Sequence, residues 1–183
     1  MMSDKKELVV VRFQQIRANC NYGKGKHSYA AQRKNLYDNF LLIPGAIFTT
    51  VVGSSFFATL SNDLPDAAKW AGGILGLLST VLITARSLLK FTQDVEAHRM
   101  TTNEFRLLGE KCTNLILRIE SNSLDVEEAL NKVDEYTEIY ENICSCAEKY
   151  STSNSDYKKT KKDIERRQTQ YKATDLEILE KDE

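Results

Sequence analysis

Residues 40–60 read FLLIPGAIFTTVVGSSFFATL, and residues 67–89 read AAKWAGGILGLLSTVLITARSLL. The first stretch holds no charged residue, and in the second only Lys69 and Arg86, near its ends, are charged. A bilayer core is about 30 Å thick, and a helix needs about 20 apolar residues to cross it. Both stretches meet that length, and a short polar loop joins them. The pattern predicts an all-α membrane protein built on a two-helix transmembrane hairpin. An N-terminal amphipathic helix precedes it, and a long cytosolic C-terminal helical hairpin follows.

Whole-chain averages conceal this arrangement. The chain has 183 residues, a formal net charge of -1 and 42% hydrophobic content, values ordinary for soluble domains. The apolar residues are concentrated in the two spans, and the remainder is rich in Lys, Glu, Asp, Asn and Ser. Near-neutral charge offers no global case for nucleic acid. The cysteines Cys20, Cys112, Cys144 and Cys146 lie outside the spans and read as reduced structural thiols of a cytosolic compartment. The opening Met1 to Glu7 is charged and its apolar run from Leu8 to Val11 is short, unlike a signal peptide.

Loop charges set the expected orientation. Lys24, Lys26, Arg33 and Lys34 precede the first span, and Lys90, Arg99 and Arg106 follow the second. The loop carries Asp63 and Asp66 and no base. Positive charge stays on the cytoplasmic side, so both termini are expected there, with the Asn62 to Pro65 turn outside. The expected location is the cell inner membrane, as a multi-pass protein. Tyr37 and Trp70 stand where interfacial aromatics belong, and Pro44 reads as lying in the first turn of its span, where a missing N–H costs little.

Small residues recur every four positions: Ala68, Gly72, Gly76, Thr80 and Thr84 in the second span, Gly45, Thr49 and Gly53 in the first. A second row in the first span holds Ala46, Thr50, Ser54 and Ala58. Spacing of four keeps each row on one helix face, and small faces let backbones approach closely in lipid. Two readings stand. The rows pack the hairpin on itself, or one row does so while another meets neighbouring copies and lines an aqueous path. Gly72, Gly76, Thr80, Thr84, Gly53 and Thr49 are the candidate contact or pore-facing residues. Arg86 reads either as an end residue reaching to the interface or as a charge at a pore mouth.

Beyond the spans, Phe91, Val95, His98, Thr102, Phe105, Gly109, Cys112, Ile116 and Ile119 form a heptad-like stripe, predicting that the second span continues as one long helix. Ser121-Asn122-Ser123 interrupts it. Asp125, Glu127 and Glu128 open a further helix, with Val126, Leu130, Val133, Thr137, Tyr140, Cys144 and Ala147 as its stripe. Upstream, Val9, Phe13, Ile16 and Cys20 share a face, and Asn21 to Gly25 reads as a turn. The expected divisions are 1–39, N-terminal helices; 40–89, membrane hairpin; 90–150, cytosolic hairpin; 151–183, a charged tail or helix. The tail's bases, Lys158 to Lys162 with Arg166 and Arg167, read as a solvated helix, as partners of the acidic 125–148 helix, or as contacts to anionic lipid.

Catalytic signatures are missing. His27 and His98 have no carboxylate or cysteine at ligand spacing. Gly23-Lys24-Gly25-Lys26 lacks phosphate-loop spacing, and no hydrolase or kinase motif occurs. No enzyme activity and no cofactor or metal site is expected.

Ala30-Ala31-Gln32-Arg33 before the membrane, Glu96-Ala97-His98 and Phe105-Arg106-Leu107-Leu108 after it, and Asp125-Val126-Glu127-Glu128-Ala129 leading to Tyr136 and Tyr140, together with the helix order, resemble a SLATT domain over about residues 9–150. That family comprises two-transmembrane effectors that accompany SMODS nucleotidyltransferases and SLOG sensors in bacteria. The resemblance implies a homo-oligomeric pore-forming effector of antiphage or conflict systems, set in the lipid bilayer. A nucleotide signal or partner triggers it to depolarise the membrane, causing cell death or growth arrest. With no recognisable sensor domain in the sequence, the resemblance implies a separate nucleotidyltransferase or sensor partner, or ligand binding by the cytosolic helices. A membrane-anchored coiled-coil scaffold and a holin-like protein are the competing classes.

Overall fold

Helix α1 runs Met2–Thr59 and is followed by α2 Asp66–Leu89, α3 Phe91–Glu120, α4 Val126–Ala147 and α5 Asn154–Leu179. These belong to a computed structural model that describes residues 2–59 and 65–179, with side chains over 4–55 and 65–168. Among the described residues every regular element is helical. The expected turn at Asn62–Leu64 and the chain end from Glu180 lie outside them. Two units form: a bundle unit of Met1–Ala31 with Ala97–Glu183, and an apolar unit, Gln32–Glu96.

In the bundle unit, α1 and α3 run antiparallel, since Cys20 meets Gly109 and Gly23 meets Phe105 while His27 meets His98. Val9, Phe13, Ile16 and Cys20 bury their side chains against Phe105, Leu108, Cys112, Leu115, Ile116 and Ile119. These are the spacings of three and four that place residues on one helix face. Helix α4 presents Ala129, Ile143 and Ala147 to the same core, with Val133, Tyr136 and Tyr140 packed on it. Leu130, expected on that face, is exposed. Val126, Val133, Tyr140, Cys144 and Ala147 of the expected stripe do pack there, and Ala129, Tyr136 and Ile143 complete the face in place of Leu130. Asp125 caps α4, its carboxylate accepting from the Glu127 amide at 3.1 Å, one of the orphan donors of a helix start.

Three local expectations are overturned. Residues 21–25 form no turn and lie inside α1. A Cβ at Gly23 would stand 2.8 Å from the Phe105 ring, and one at Gly25 would collide with Thr160 of α5. The glycines serve close helix approach, which offsets their cost of about 1 kcal/mol each in a helix. Pro44 likewise lies in the interior of α1, because the helix begins far upstream, so the Phe40 carbonyl loses its usual donor. Finally, α2 and α3 are not one helix. Lys90 adopts the left-handed conformation (φ 51°, ψ 30°) and ends α2, after which its carbonyl accepts from the Gln93 and Asp94 amides at 3.0 and 3.1 Å. The start of α3 is held by α1, where Lys34 bonds Asp94 at 2.7 Å and lies over the Phe91 ring. Such tertiary contacts outweigh the roughly 1–2 kcal/mol cost of a left-handed non-glycine residue.

Gly25→Val should push α5 off α1. Overpacking of this kind costs about 1–3 kcal/mol. Denaturant titration of the protein in detergent, with limited proteolysis reporting release of α5, measures it; unchanged protease resistance would contradict the close approach.

Candidate functional site

The apolar unit is held by an antiparallel contact between α1 and α2 that can be followed residue by residue. A Cβ on Gly72 would lie 3.9 Å from Ser55, and one on Gly76 3.7 Å from Val52. Ser79, buried, shares a 2.6 Å hydrogen bond with the Thr49 hydroxyl and lies 2.9 Å from the Gly45 carbonyl. Gly45 in turn faces Ile83 and Leu82. At the end of this seam the Arg86 guanidinium donates to both carboxylate oxygens of Asp38, at 2.8 and 2.9 Å. Asp38 is only 7% exposed, and Thr92 stands beside the pair. A forked pair of this kind adds geometric specificity to charge attraction.

The small residues are thereby divided. Gly72, Gly76 and Ser79 join the seam inside the chain, and the Thr49 hydroxyl reaches into it although its residue is exposed. Gly53 and Gly73 have nothing within 4 Å of a built Cβ, and Thr50, Ser54, Thr80 and Thr84 are exposed. Three of these exposed hydroxyls have partners on their own helix. Thr50 donates to the Ala46 carbonyl, Ser54 to Thr50 and Thr80 to Gly76, at 2.7 to 2.9 Å. Side chains that bond back to their own helix can face lipid or a neighbour without an unsatisfied donor. Around them large apolar side chains are bare: Phe40, Trp70 and Leu77 are each more than 70% exposed. Two described helices are long and apolar enough to cross a membrane, with only 11% and 6% of their most apolar windows buried. The core helix of a soluble protein would hide most of such a surface.

A family model, SMODS and SLOG-associating 2TM effector domain family 4, matches residues 12–177. The chain belongs to this SLATT family. No curated protein and no solved structure matches it. The family description and the two bare apolar helices together make this SLATT chain a membrane protein of the effector class.

Two residues of the SLATT seam escape the periodicity of the small-residue rows. Ser79 is one position off the row through Gly76 and Thr80, yet it is the buried hydroxyl. Asp38 lies outside the apolar stretch; aligning the two spans antiparallel would have brought it to Arg86. Ser79→Ala should destabilise the α1–α2 contact by about 0.6 kcal/mol and at most about 1.7, as for other hydroxyls inside membrane proteins. A double-mutant cycle with Thr49→Ala, read by denaturation in mixed micelles, measures it, and strict additivity would show that the pair is uncoupled.

The bundle unit of the SLATT chain carries a second feature. A recess of about 570 Å³, lined among others by Tyr22, Lys26, His27, Phe105, Tyr140 and Tyr150, opens where α1, α4 and the start of α5 meet. His27, which lines it, brings its Nδ1 atom to 2.9 Å from Nδ1 of His98, both rings buried. Burial first, then His98 and Lys26, push the His27 pKa down to about 4. Burial pushes the Cys20 thiol up to about 12 and the Cys112 thiol up to about 11, so both are unreactive.

Proposed function

We propose that this chain is a pore-forming effector of a bacterial antiphage or conflict system. The apolar unit is a transmembrane hairpin of the inner membrane with both termini cytoplasmic, as the loop charges favour. Homo-oligomers assemble through the small residues left uncovered, Gly53, Gly73, Thr80 and Thr84, and open a path that depolarises the cell. The observation that carries the reading is the division of small residues. One set is consumed by the seam, and another is kept free although an anchor needs only Leu and Val. In this reading Arg86 braces the hairpin through Asp38 near the mouth of the path, and the chain acts without catalysis. A nucleotide signal or a separate nucleotidyltransferase or sensor protein supplies the trigger. The recess beside His27 supports direct binding of a small ligand, since its volume falls in the range of ligand pockets, about 300–1,000 Å³.

Membrane potential in cells expressing the chain tests this. Induction with the trigger present should depolarise them. Thr80→Leu should change the leak about tenfold, within the usual range of site-to-site coupling, while leaving the α1–α2 seam folded. Gly76→Leu should disrupt the seam itself, since it drives a side chain against Val52. Intact potential despite assembled oligomers and a working trigger would sink the pore reading. Full activity after both spans are exchanged for unrelated apolar helices would make the hairpin an anchor.

A further inference from the structure

The basic run of α5 has a defined place in the bundle unit. Tyr22 stacks on Tyr157 with centroids 6.0 Å apart, Gly25 abuts Thr160, and the Tyr29 hydroxyl donates to Asp163. The numbers rise together in steps of three and four on both helices. Helix α5 therefore runs parallel to α1, one face docked, with Asp156 and Thr160 buried. Lys158, Lys161 and Lys162 consequently point away from α1, and all are exposed.

Bases outnumber acids on this part of α5, and among the described residues only some of them are paired. Residues 156–168 hold the bases Lys158, Lys159, Lys161, Lys162, Arg166 and Arg167 against the acids Asp156, Asp163 and Glu165. Asp156 is buried and accepts from the Ser153 amide, and Asp163 is tied to Tyr29 and to Arg166. Lys161 approaches Glu165 at only 3.9 Å. Among the described residues no ion pair joins the acidic helix α4 to α5, so the acidic 125–148 helix does not neutralise the run.

Direction completes the case. Helix α5 leads toward the end of the bundle unit at which α1 leaves it, after Ala31. Arg166 and Arg167 stand one turn past Asp163, which the Tyr29 hydroxyl contacts. Measured along α1 alone, Phe40 is nine residues past Ala31, about 14 Å at 1.5 Å per residue. A headgroup layer occupies roughly 5–7 Å of each bilayer face, and charges are felt over about 8 Å at physiological salt.

We propose that the exposed face of α5, centred on Lys158, Lys161 and Lys162, binds the anionic headgroups of the bilayer in which the apolar unit sits. The contact rests on the membrane reading of that unit but not on pore formation. It ties the bundle unit to lipid through a second surface, and each base near such a surface strengthens binding about fivefold.

The test uses the full chain in lipid nanodiscs, one set of phosphatidylcholine alone and one with phosphatidylglycerol added. Recovery of the protein in both kinds of disc checks the membrane reading separately. Hydrogen exchange of α5 is then followed. Exchange over residues 158–168 should be at least about fivefold slower in the anionic discs, the effect of a single base, and half-molar salt should erase the difference. The triple variant Lys158→Gln, Lys161→Gln, Lys162→Gln should exchange alike in both discs. Equal exchange of the unmodified chain in the two lipids would overturn the proposal, whether or not the variant folds. So would protection of α5 in neutral discs by a DNA oligonucleotide without any response to anionic lipid.

Discussion

Phe13→Ala should destabilise the helical bundle by about 3–5 kcal/mol. The Phe13 side chain is fully buried and meets Tyr136 edge-on, with centroids 5.7 Å apart and planes at 83°. An aromatic pair of this geometry adds about 0.5–1.5 kcal/mol beyond the area it buries. Truncation would leave a hole at the point where α1, α3 and α4 share one core, and rigid helices cannot close it. Against a domain stability of about 5–15 kcal/mol, the loss is a fifth or more. Denaturant titration in detergent, with hydrogen exchange resolving α1, α3 and α4, is the measurement. A cost below about 1 kcal/mol is what a surface side chain would give, and it would show that the bundle does not pack around Phe13. The apolar unit should keep its own exchange pattern, because none of its contacts involves this ring.

Acidification should weaken the same bundle by about 3 kcal/mol between pH 6.5 and 4. An Nδ1···Nδ1 contact of 2.9 Å between His27 and His98 requires one of the two nitrogens to accept, and so to be free of a proton. Burial is the larger cause of the lowered His27 pKa, about 4; an unfolded histidine titrates near 6.5. The sign follows from proton uptake. Above pH 6.5 the ring is neutral in both states and contributes no slope. As pH falls below 6.5 the unfolded chain takes up a proton that the folded chain refuses, so stability declines. Below about 4 both states are protonated and the decline ends. The groups facing His27 are His98 and Phe105 from α3, Lys26 beside it on α1, and Asp156 from α5, which partly offsets the others. His27→Gln should flatten this part of the stability profile. Parallel decline of the two proteins from pH 6.5 to 4 would assign the slope to other groups.

Much of the helix inventory was legible in the residues themselves. Length and apolarity marked both spans. The interruption at Ser121-Asn122-Ser123 coincides with the end of α3, where Asn122 takes a left-handed conformation (φ 54°), which asparagine tolerates better than most residues. The stripe Val9, Phe13, Ile16 and Cys20 is buried as its spacing indicates. What misled was local chemistry overruled by packing. A Gly-Lys-Gly segment reads as a turn, because only a partner helix reveals why the side chains are missing. At Lys90 nothing marks the break, since lysine is an ordinary helix former. Leu130 outranks Ala129 in hydrophobicity, yet a close helix contact selects the smaller residue.

The candidate site divides along the same line. Periodicity alone lists Gly72, Gly76, Thr80, Thr84, Gly53 and Thr49 as equivalent small residues. The α1–α2 seam separates them, taking Gly72, Gly76 and Thr49 and leaving Gly53, Thr80 and Thr84 uncovered. It also recruits Ser79 and Asp38, which no row contains. Length, hydropathy and helix order, which are sums over neighbours in the chain, already determined an all-helical chain with two helices long and apolar enough to cross a membrane, and its SLATT resemblance. The rotation of each helix about its axis, the break at Lys90 and the pairing of Asp38 with Arg86 were decided by tertiary structure. Each depends on which side chain a distant helix presents, and that is set by packing in three dimensions.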